Sequence, residues 1–168
     1  MGLAKEVFII EAKTVDQSEF SRGEIMQPGQ ANFSGNVHGG EIMKIMDNVA
    51  GVVALRHAKV NVVTARVDEM EFHHPIHIGD LVICKGKVTF VGKSSLEVLV
   101  TVLVEDVLKD APVKTALTAL FTMVALTPEG TSAHVPSLEI TNDEERKYFE
   151  KGRERYLAYK QKRSQQVQ

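Results

Sequence analysis

Apolar residues recur with helical spacing behind a polar, glycine-containing loop in the first third of the chain. The pattern predicts a helix that begins near Gly39–Gly40 and extends to about Ala58. One face of this helix carries the apolar positions Ile42, Ile45, Met46, Val49, Val52 and Val53. Asp47 does not belong to the opposite, solvated face, because its neighbours at helical spacing are small or apolar. We therefore expect a poorly hydrated acid with another element packed against it.

Four segments after this helix have the length and the apolar pattern of β-strands. They cover residues 60–72, 81–91, 95–105 and 113–126. In the third segment five apolar residues from Leu96 to Val104 face one way, while Glu97, Thr101 and Glu105 face the other. The fourth segment is apolar at nearly every residue, so we expect both of its faces to be covered. A further strand is predicted at residues 7–12, and the polar stretch behind it gives no clear pattern.

This order of elements predicts an α+β fold, with an antiparallel sheet wrapped around one long central helix. Such a sheet covers only one of its own faces and leaves edges, so we expect a homo-oligomer. A charged helix begins from Asn142, with Asn142 or Asp143 as its expected N-cap, and basic residues dominate its second half. We expect one domain at residues 1–136, with residues 137–168 as a helical extension packed on it.

Composition narrows the class of protein without identifying it. The 168 residues carry a net charge of −2, which gives no global attraction to nucleic acid or to a membrane surface. One cysteine, Cys84, excludes an intrachain disulfide framework and suits a reducing cytosol. No apolar run approaches bilayer length, and the first residues do not resemble a signal peptide. We expect a cytoplasmic protein without a membrane span.

The start of the long helix is a candidate site for an anion. Gly39 and Gly40 place unblocked backbone N–H groups at the positive end of the helix dipole, which suits a phosphate or an oxyanion. Helix capping is the alternative, and for His38 just ahead it is the commoner role. Asp47 lies seven residues after Gly40, roughly 10 Å along the axis, which its side chain cannot bridge. If the two elements cooperate, Asp47 comes from a second copy of the chain.

Other candidate chemistry is weaker. His73, His74 and His77 lack the cysteine or carboxylate that would complete a metal site, so we expect no metal. Cys84 lies in the middle of a strand and is expected in the core. No Gly-x-Ser-x-Gly elbow supports serine chemistry.

These residues resemble a known family. The run GNVHGG at 35–40, followed by KIMDNVAG at 44–51, resembles the cytosolic acyl-CoA hydrolases of the hotdog fold, both bacterial single-domain and brain-type two-domain enzymes. The likeness continues through ALRH at 54–57, VVTA at 62–65, KSSLEV at 93–98, ALFT at 119–122 and RYL at 155–157. It covers about residues 7–163.

The resemblance implies a hotdog fold, hydrolysis of the thioester of fatty acyl-CoA, and a hexamer built as a trimer of dimers. In the two-domain relatives one domain supplies a loop asparagine and the other a helix aspartate. This chain carries both, as Asn36 and Asp47, so a homodimer would contain two complete sites. No cofactor is implied beyond the coenzyme A of substrate and product.

The implied mechanism has Asp47 as general base on water, with Gly39 and Gly40 of the partner stabilising the oxyanion. Asn36 would orient the water or the carbonyl. Direct attack by Asp47 to give an anhydride is the alternative, and both stay open here. The residues implied to contact CoA are His38, Arg56, His57, Val63, Thr64, Lys93, Ser94, Ser95 and Arg155.

Two other functions compete with hydrolysis. A hotdog hydratase would need an Asp/His pair in a characteristic loop, which we do not find around any histidine. A non-catalytic acyl-CoA binder or sensor is the second alternative. The presence of both Asn36 and Asp47 argues against it, and so does the short stretch before the first predicted strand, which is too short for a helix-turn-helix.

Overall fold

The computed structural model describes residues 11–166, and two helices and seven strands lie within them. The strands are β1 (Lys13–Thr14), β2 (Phe20–Ile25), β3 (Asn61–Phe72), β4 (Leu81–Val91), β5 (Ser95–Glu105), β6 (Lys114–Leu126) and β7 (Leu138–Glu139). The helices are α1 (Gly39–Ala58) and α2 (Asp143–Gln166), and a short 3-10 turn covers Pro28–Gln30. Most of the strand predicted at residues 7–12 lies outside the described residues, and residues 11 and 12 are in no strand.

Five strands form one antiparallel sheet in the order β2-β4-β5-β6-β3, and β1 pairs with β7 in a small parallel sheet. The pattern predicted β3 to β6 within about one residue at each end, and it predicted the bounds of α1. It missed β2, because that edge strand has apolar residues only at Phe20 and Ile25, its two ends. At the other edge, β3 pairs only with β6 and leaves its second side unpaired within the described chain.

One face of α1 packs against this sheet, as the periodicity predicted. Five of the six predicted positions are buried, Val52 is half-buried, and Ala50 and Ala54 extend the buried face. The closest approach of helix and sheet is at Gly86 of β4, where a Cβ would lie 2.8 Å from Val49 Cγ1 and 2.9 Å from Val53 Cγ2. A side chain at position 86 would therefore push α1 away from the sheet.

The core is apolar, and the single cysteine belongs to it. The predicted inward row of β5, from Leu96 to Val104, is buried throughout. Cys84 is fully buried, and burial raises the pKa of its thiol to about 12. A thiol in this state is a poor nucleophile, so Cys84 has the core role expected from its position in a strand.

Helix α2 packs on the sheet near the β4–β5 turn. Gly152 permits this contact, because a Cβ there would lie 2.5 Å from Phe90 Cβ. The rings of Phe149 and Tyr156 lie 5.0 and 5.3 Å from the Phe90 ring, centroid to centroid. At the start of α2 the Asn142 side chain accepts a hydrogen bond from the Glu145 N–H at 2.9 Å, which is one of the two caps expected.

Neither helix within residues 11–166 combines the length and the apolar character that crossing a bilayer requires.

The last turn of α1 holds a buried histidine. Nε2 of His57 donates to the Pro136 carbonyl at 2.9 Å, so Nδ1 accepts from the Ser18 hydroxyl at 3.1 Å. Lys13 donates to the carbonyls of Arg56 and His57 and so satisfies the end of the helix. Burial lowers the pKa of His57, an effect that the Pro136 hydrogen bond opposes and the charge of Lys13 adds to. The ring is neutral in the folded protein at neutral pH.

This neutral, buried ring predicts a loss of stability in mild acid. The unfolded chain binds a proton at His57 near pH 6.5, roughly the value of a free side chain, while the folded chain binds it only at lower pH. We expect the free energy of unfolding to be highest above that pH and to fall as the pH is lowered. Urea titrations should show a shallower pH slope for His57→Gln than for the unmodified chain. His134→Gln, at an exposed histidine, should keep the original slope, and equal slopes in all three would contradict the assignment.

Candidate active site

Asp47 lies on the exposed side of α1, next to the edge strand β3 of the sheet. Its side chain is exposed in the single chain, so the expectation of a poorly hydrated acid is wrong for one copy alone. Within the described residues one polar partner reaches it, the Thr64 hydroxyl of β3, which donates to Asp47 Oδ1 at 2.6 Å. A register shift between Thr64 and Arg66 distorts β3 at this point. The carboxylate is thus held through one oxygen, and the other has no partner among residues 11–166.

The loop before α1 is organised by the side chain of Asn32. Its Oδ1 accepts hydrogen bonds from the N–H groups of Ser34 at 2.9 Å and of Asn36 at 3.2 Å. The backbone closes the same loop, since the Asn32 N–H donates to the Asn36 carbonyl at 2.7 Å. Gly35 adopts a φ of 82°, which favours glycine. Because Oδ1 is occupied, the amide nitrogen of Asn32 is the group left to bind something else.

The helix start is less open than the sequence suggested. Nδ1 of His38 accepts a hydrogen bond from the Gly40 N–H at 2.9 Å and caps the helix. The expectation of two unblocked N–H groups is therefore wrong for Gly40. The Gly39 N–H makes no hydrogen bond within the described chain. One backbone donor, not two, remains for an anion.

A cavity of about 250 Å³ brings the loop and the helix start together. Its walls include Asn32, Asn36, Gly39 and the ring of Phe72. Asp47 is not among the lining residues. Within a single copy of the chain, the loop asparagines and Asp47 therefore do not meet in this cavity.

A second cavity, of about 380 Å³, lies between α2 and the sheet, and we call it the α2 groove. Ser94 and Ser95 line it, and Lys93 of the same turn does not. Its other walls include the cationic and aromatic side chains of Arg66, Tyr156, Tyr159, Lys160 and Arg163, together with the Glu97 carboxylate. The Arg66 guanidinium lies 3.9 Å from the centroid of the Tyr159 ring, and Lys160 Nζ lies 4.8 Å from that of Tyr156. Cations and aromatic faces together suit a phosphorylated, planar ligand.

Arg155 does not face the α2 groove. Its Nε and one Nη donate to the two carboxylate oxygens of Glu97 at 2.9 and 2.8 Å, and Glu97 raises the pKa of Arg155. The Thr89 hydroxyl donates to the same carboxylate at 2.7 Å. Glu97 lies on the face of β5 opposite the apolar row, as the alternation predicted, and it is only 6% exposed because α2 covers it. This buried ion pair fastens α2 to β5.

Two more residues implied to bind CoA have other surroundings. His57 is fully buried, with both ring nitrogens bonded inside the chain, so the structure leaves it no access to a ligand. Arg56 is exposed and lies over the Phe20 ring at 5.0 Å. It lines a separate cavity with Lys13 and Lys59, away from Ser94 and Ser95. Val63 is exposed beside Thr64. Within residues 11–166, no cluster of three or more histidine, cysteine or acidic side chains is placed to hold a metal ion.

Comparisons with known proteins agree on one family. A model described as the thioesterase superfamily matches residues 34–111. The human cytosolic acyl coenzyme A thioester hydrolase is 42% identical over 154 residues, which are 91% of this chain and 40% of the human protein. YkhA of Bacillus subtilis, described as an uncharacterized acyl-CoA thioester hydrolase, is 32% identical over 135 residues, 80% of this chain and 78% of that protein.

Solved structures agree with the sequence matches. An acyl-CoA hydrolase from Staphylococcus aureus, in complex with butyryl coenzyme A and coenzyme A, superposes with a TM-score of 0.82 at 30% identity, over 93% of this chain and 96% of that one. A hexameric acyl-CoA thioesterase gives a TM-score of 0.85 at 29% identity, over 91% and 97% of the two chains. The antiparallel sheet packed on one long helix is thus a hotdog fold. The chain belongs to the thioesterase superfamily, among the acyl-CoA thioester hydrolases. It spans about 40% of the length of the human and rat relatives.

The Staphylococcus aureus enzyme has also been solved with single alanine substitutions of an asparagine, an aspartate and a threonine. In that protein the asparagine precedes the aspartate by fifteen residues, and the threonine follows the aspartate by seventeen.

Proposed function

We propose that this chain hydrolyses fatty acyl-CoA to a fatty acid and CoA, at a site shared by two copies of the chain. The observation that carries the proposal is the position of the Asp47 carboxylate. It is exposed and held by Thr64, and it cannot reach the cavity that Asn32 and Gly39 line at the start of the same helix. Membership of the acyl-CoA thioester hydrolases supports the reaction. The name of the mammalian relatives, cytosolic hydrolases, supports a cytosolic location.

In the proposed reaction Asp47 takes a proton from water as that water attacks the thioester carbonyl carbon. The tetrahedral intermediate collapses with cleavage of the carbon–sulfur bond, and the thiolate of CoA leaves and is protonated. Thr64 keeps one carboxylate oxygen occupied, so the other is aimed at the water. The Gly39 N–H of the partner copy, at the positive end of its helix, stabilises the oxyanion.

We assign to the side-chain amide of Asn32, in place of Asn36, the role of orienting the water or the thioester carbonyl. The amide nitrogen of Asn32 is available once its Oδ1 has fixed the loop, and it lines the same cavity as Gly39. Asn32 also precedes Asp47 by fifteen residues and Thr64 follows it by seventeen, the spacings of the three residues substituted in the Staphylococcus aureus enzyme. Asn36 lies eleven residues before Asp47 and contributes backbone to the loop.

The second copy would approach from the side of β3. The outer edge of this strand has no partner in the described chain, and Val63, Val67 and Phe72 are exposed along it. An unpaired edge with apolar side chains favours pairing with a second chain. Hexameric relatives support a trimer of such dimers.

We place the nucleotide end of CoA in the α2 groove. Lys160 and Arg163 supply positive charge for phosphates, Ser94 and Ser95 supply hydroxyl groups, and Tyr156 supplies a flat face for the adenine. We assign no CoA contact to His57, which is buried, or to Arg155, which is paired with Glu97. The reaction needs no metal or cofactor, since water and one base suffice.

Replacement of the general base tests the function. Thiol release from acyl-CoAs of graded chain length should fall about a hundredfold or more in kcat for Asp47→Asn, because the amide cannot accept the proton of water. Asp110→Asn, at an exposed turn, should leave the rate unchanged. Acyl-CoA binding without thiol release by the unmodified chain would instead identify a non-catalytic binder. Full activity in Asp47→Asn would remove Asp47 from the mechanism.

Isosteric substitutions separate the two asparagines. Asn32→Asp keeps the acceptor that fixes the loop and removes the amide donor, so we expect kcat to fall about 10²-fold, the usual effect of losing one oxyanion donor. Asn36→Asp should cost much less. Circular dichroism and thermal unfolding check that both variants fold. A larger loss in Asn36→Asp than in Asn32→Asp would return the role to Asn36.

Neighbouring basic residues on α2 test the groove. Lys160→Ala and Arg163→Ala should each raise KM for acyl-CoA several-fold with little change in kcat, because they act on binding alone. The effect should shrink at high salt, where phosphate contacts are screened. Lys162→Ala removes the same charge at an exposed α2 position that does not line the groove, and it should keep the original KM. Equal KM values in all four proteins would exclude the groove.

A further inference from the structure

Helix α1 contains a glycine, Gly51, one turn after Asp47, and no contact within the described chain requires a glycine there. Glycine in a helix interior costs about 1 kcal/mol relative to alanine. At Gly86 and Gly152 the reason is visible, since a Cβ would lie 2.8 Å from Val49 and 2.5 Å from Phe90. At Gly51 a Cβ would meet no atom within 4 Å, and its φ is not in the left-handed region.

Gly51 belongs to a row of side chains on the exposed side of the helix. Met43, Asp47, Gly51 and Leu55 follow at intervals of four residues and so form one ridge. Met43 is 41% exposed and Leu55 is 46% exposed, so both large apolar side chains of this ridge are open to solvent in the single chain. The ridge therefore has an acid in an apolar setting and a gap one turn further on.

We propose that the gap at Gly51 receives the acyl chain and sets the chain length that the enzyme accepts. The inference rests on the proposed function, which puts the thioester carbonyl at Asp47. Gly51 lies about 6 Å from Asp47 along the helix axis, at 1.5 Å per residue. That is a span of a few methylene groups. Leu55 lies one turn beyond and provides the next apolar contact.

The chemistry of the ridge favours the acyl chain over the other parts of the substrate. The pantetheine arm carries amides and the nucleotide carries phosphates, and both need polar partners. Beyond Asp47 the ridge offers only the space at Gly51 and the side chain of Leu55. An aliphatic chain gains from such contact with apolar surface.

Filling the gap is the direct test. Thiol release is measured for Gly51→Ala and Gly51→Leu with butyryl-CoA, octanoyl-CoA and the longest acyl-CoA that the unmodified chain hydrolyses. We expect Gly51→Leu to lower kcat/KM at least about tenfold for that longest substrate, with little change for butyryl-CoA, because added bulk excludes methylene groups from a pocket. Gly51→Ala should shift the ratio in the same direction by less. Ala158→Leu, which adds bulk at an exposed position of α2, should leave the ratio unchanged.

The fold should tolerate these changes, since the described chain has room at position 51 and alanine favours the helix. Leu55→Ala removes bulk from the same ridge and should move the ratio toward longer chains. An unchanged chain-length profile in the Gly51 variants would overturn the inference. Equal loss on all substrates, with dissociation seen by sedimentation, would also overturn it, because the partner copy would then occupy the gap. Absence of any thiol release by the unmodified chain would overturn the proposed function instead.

Discussion

The burial of one face of α1 against the sheet decides where every chemical group of this helix lies. Once Ile42, Met46 and Val49 face the strands, the geometry of the helix turns Asp47 and Gly51 outward. The packing of the apolar face thereby leaves the Asp47 carboxylate on the part of the helix surface that the core does not bury. The exposed acid and the loop cavity are consequences of the same core.

Periodicity predicted the elements that bury a regular face. The bounds of α1 and the strands β4 and β5 followed from their apolar spacing, since a helix or strand with a buried side must repeat it. The pattern failed for β2, an edge strand whose side chains are mostly exposed. For Glu97 alternation predicted the correct face of β5, but it did not show that α2 covers that face.

The candidate site was partly predictable for a similar reason. Asp47 and Gly39 stood out in the sequence, because an acid among small residues and a glycine at a helix start are local signals. The hydrogen-bond partners of polar groups are not local: His57 meets Pro136, and Arg155 meets Glu97, across long stretches of chain. The bond between His38 and the Gly40 N–H is a local one, and capping was the commoner role that the sequence offered for this histidine. The resemblance implied Asn36 as the loop asparagine, whereas the proposal of Asn32 depends on hydrogen bonds within the loop that the sequence does not show.

The close contact at Gly86 has a further consequence for the outward side of α1. Two valine side chains of the helix straddle a strand position that has no side chain, so the helix cannot slide along the sheet without a collision. This contact fixes the axial position of the helix and therefore the alignment between Asp47 and Thr64, which belong to different elements. The alignment of the acid is in this sense a property of the protein interior, set on the buried side of the helix.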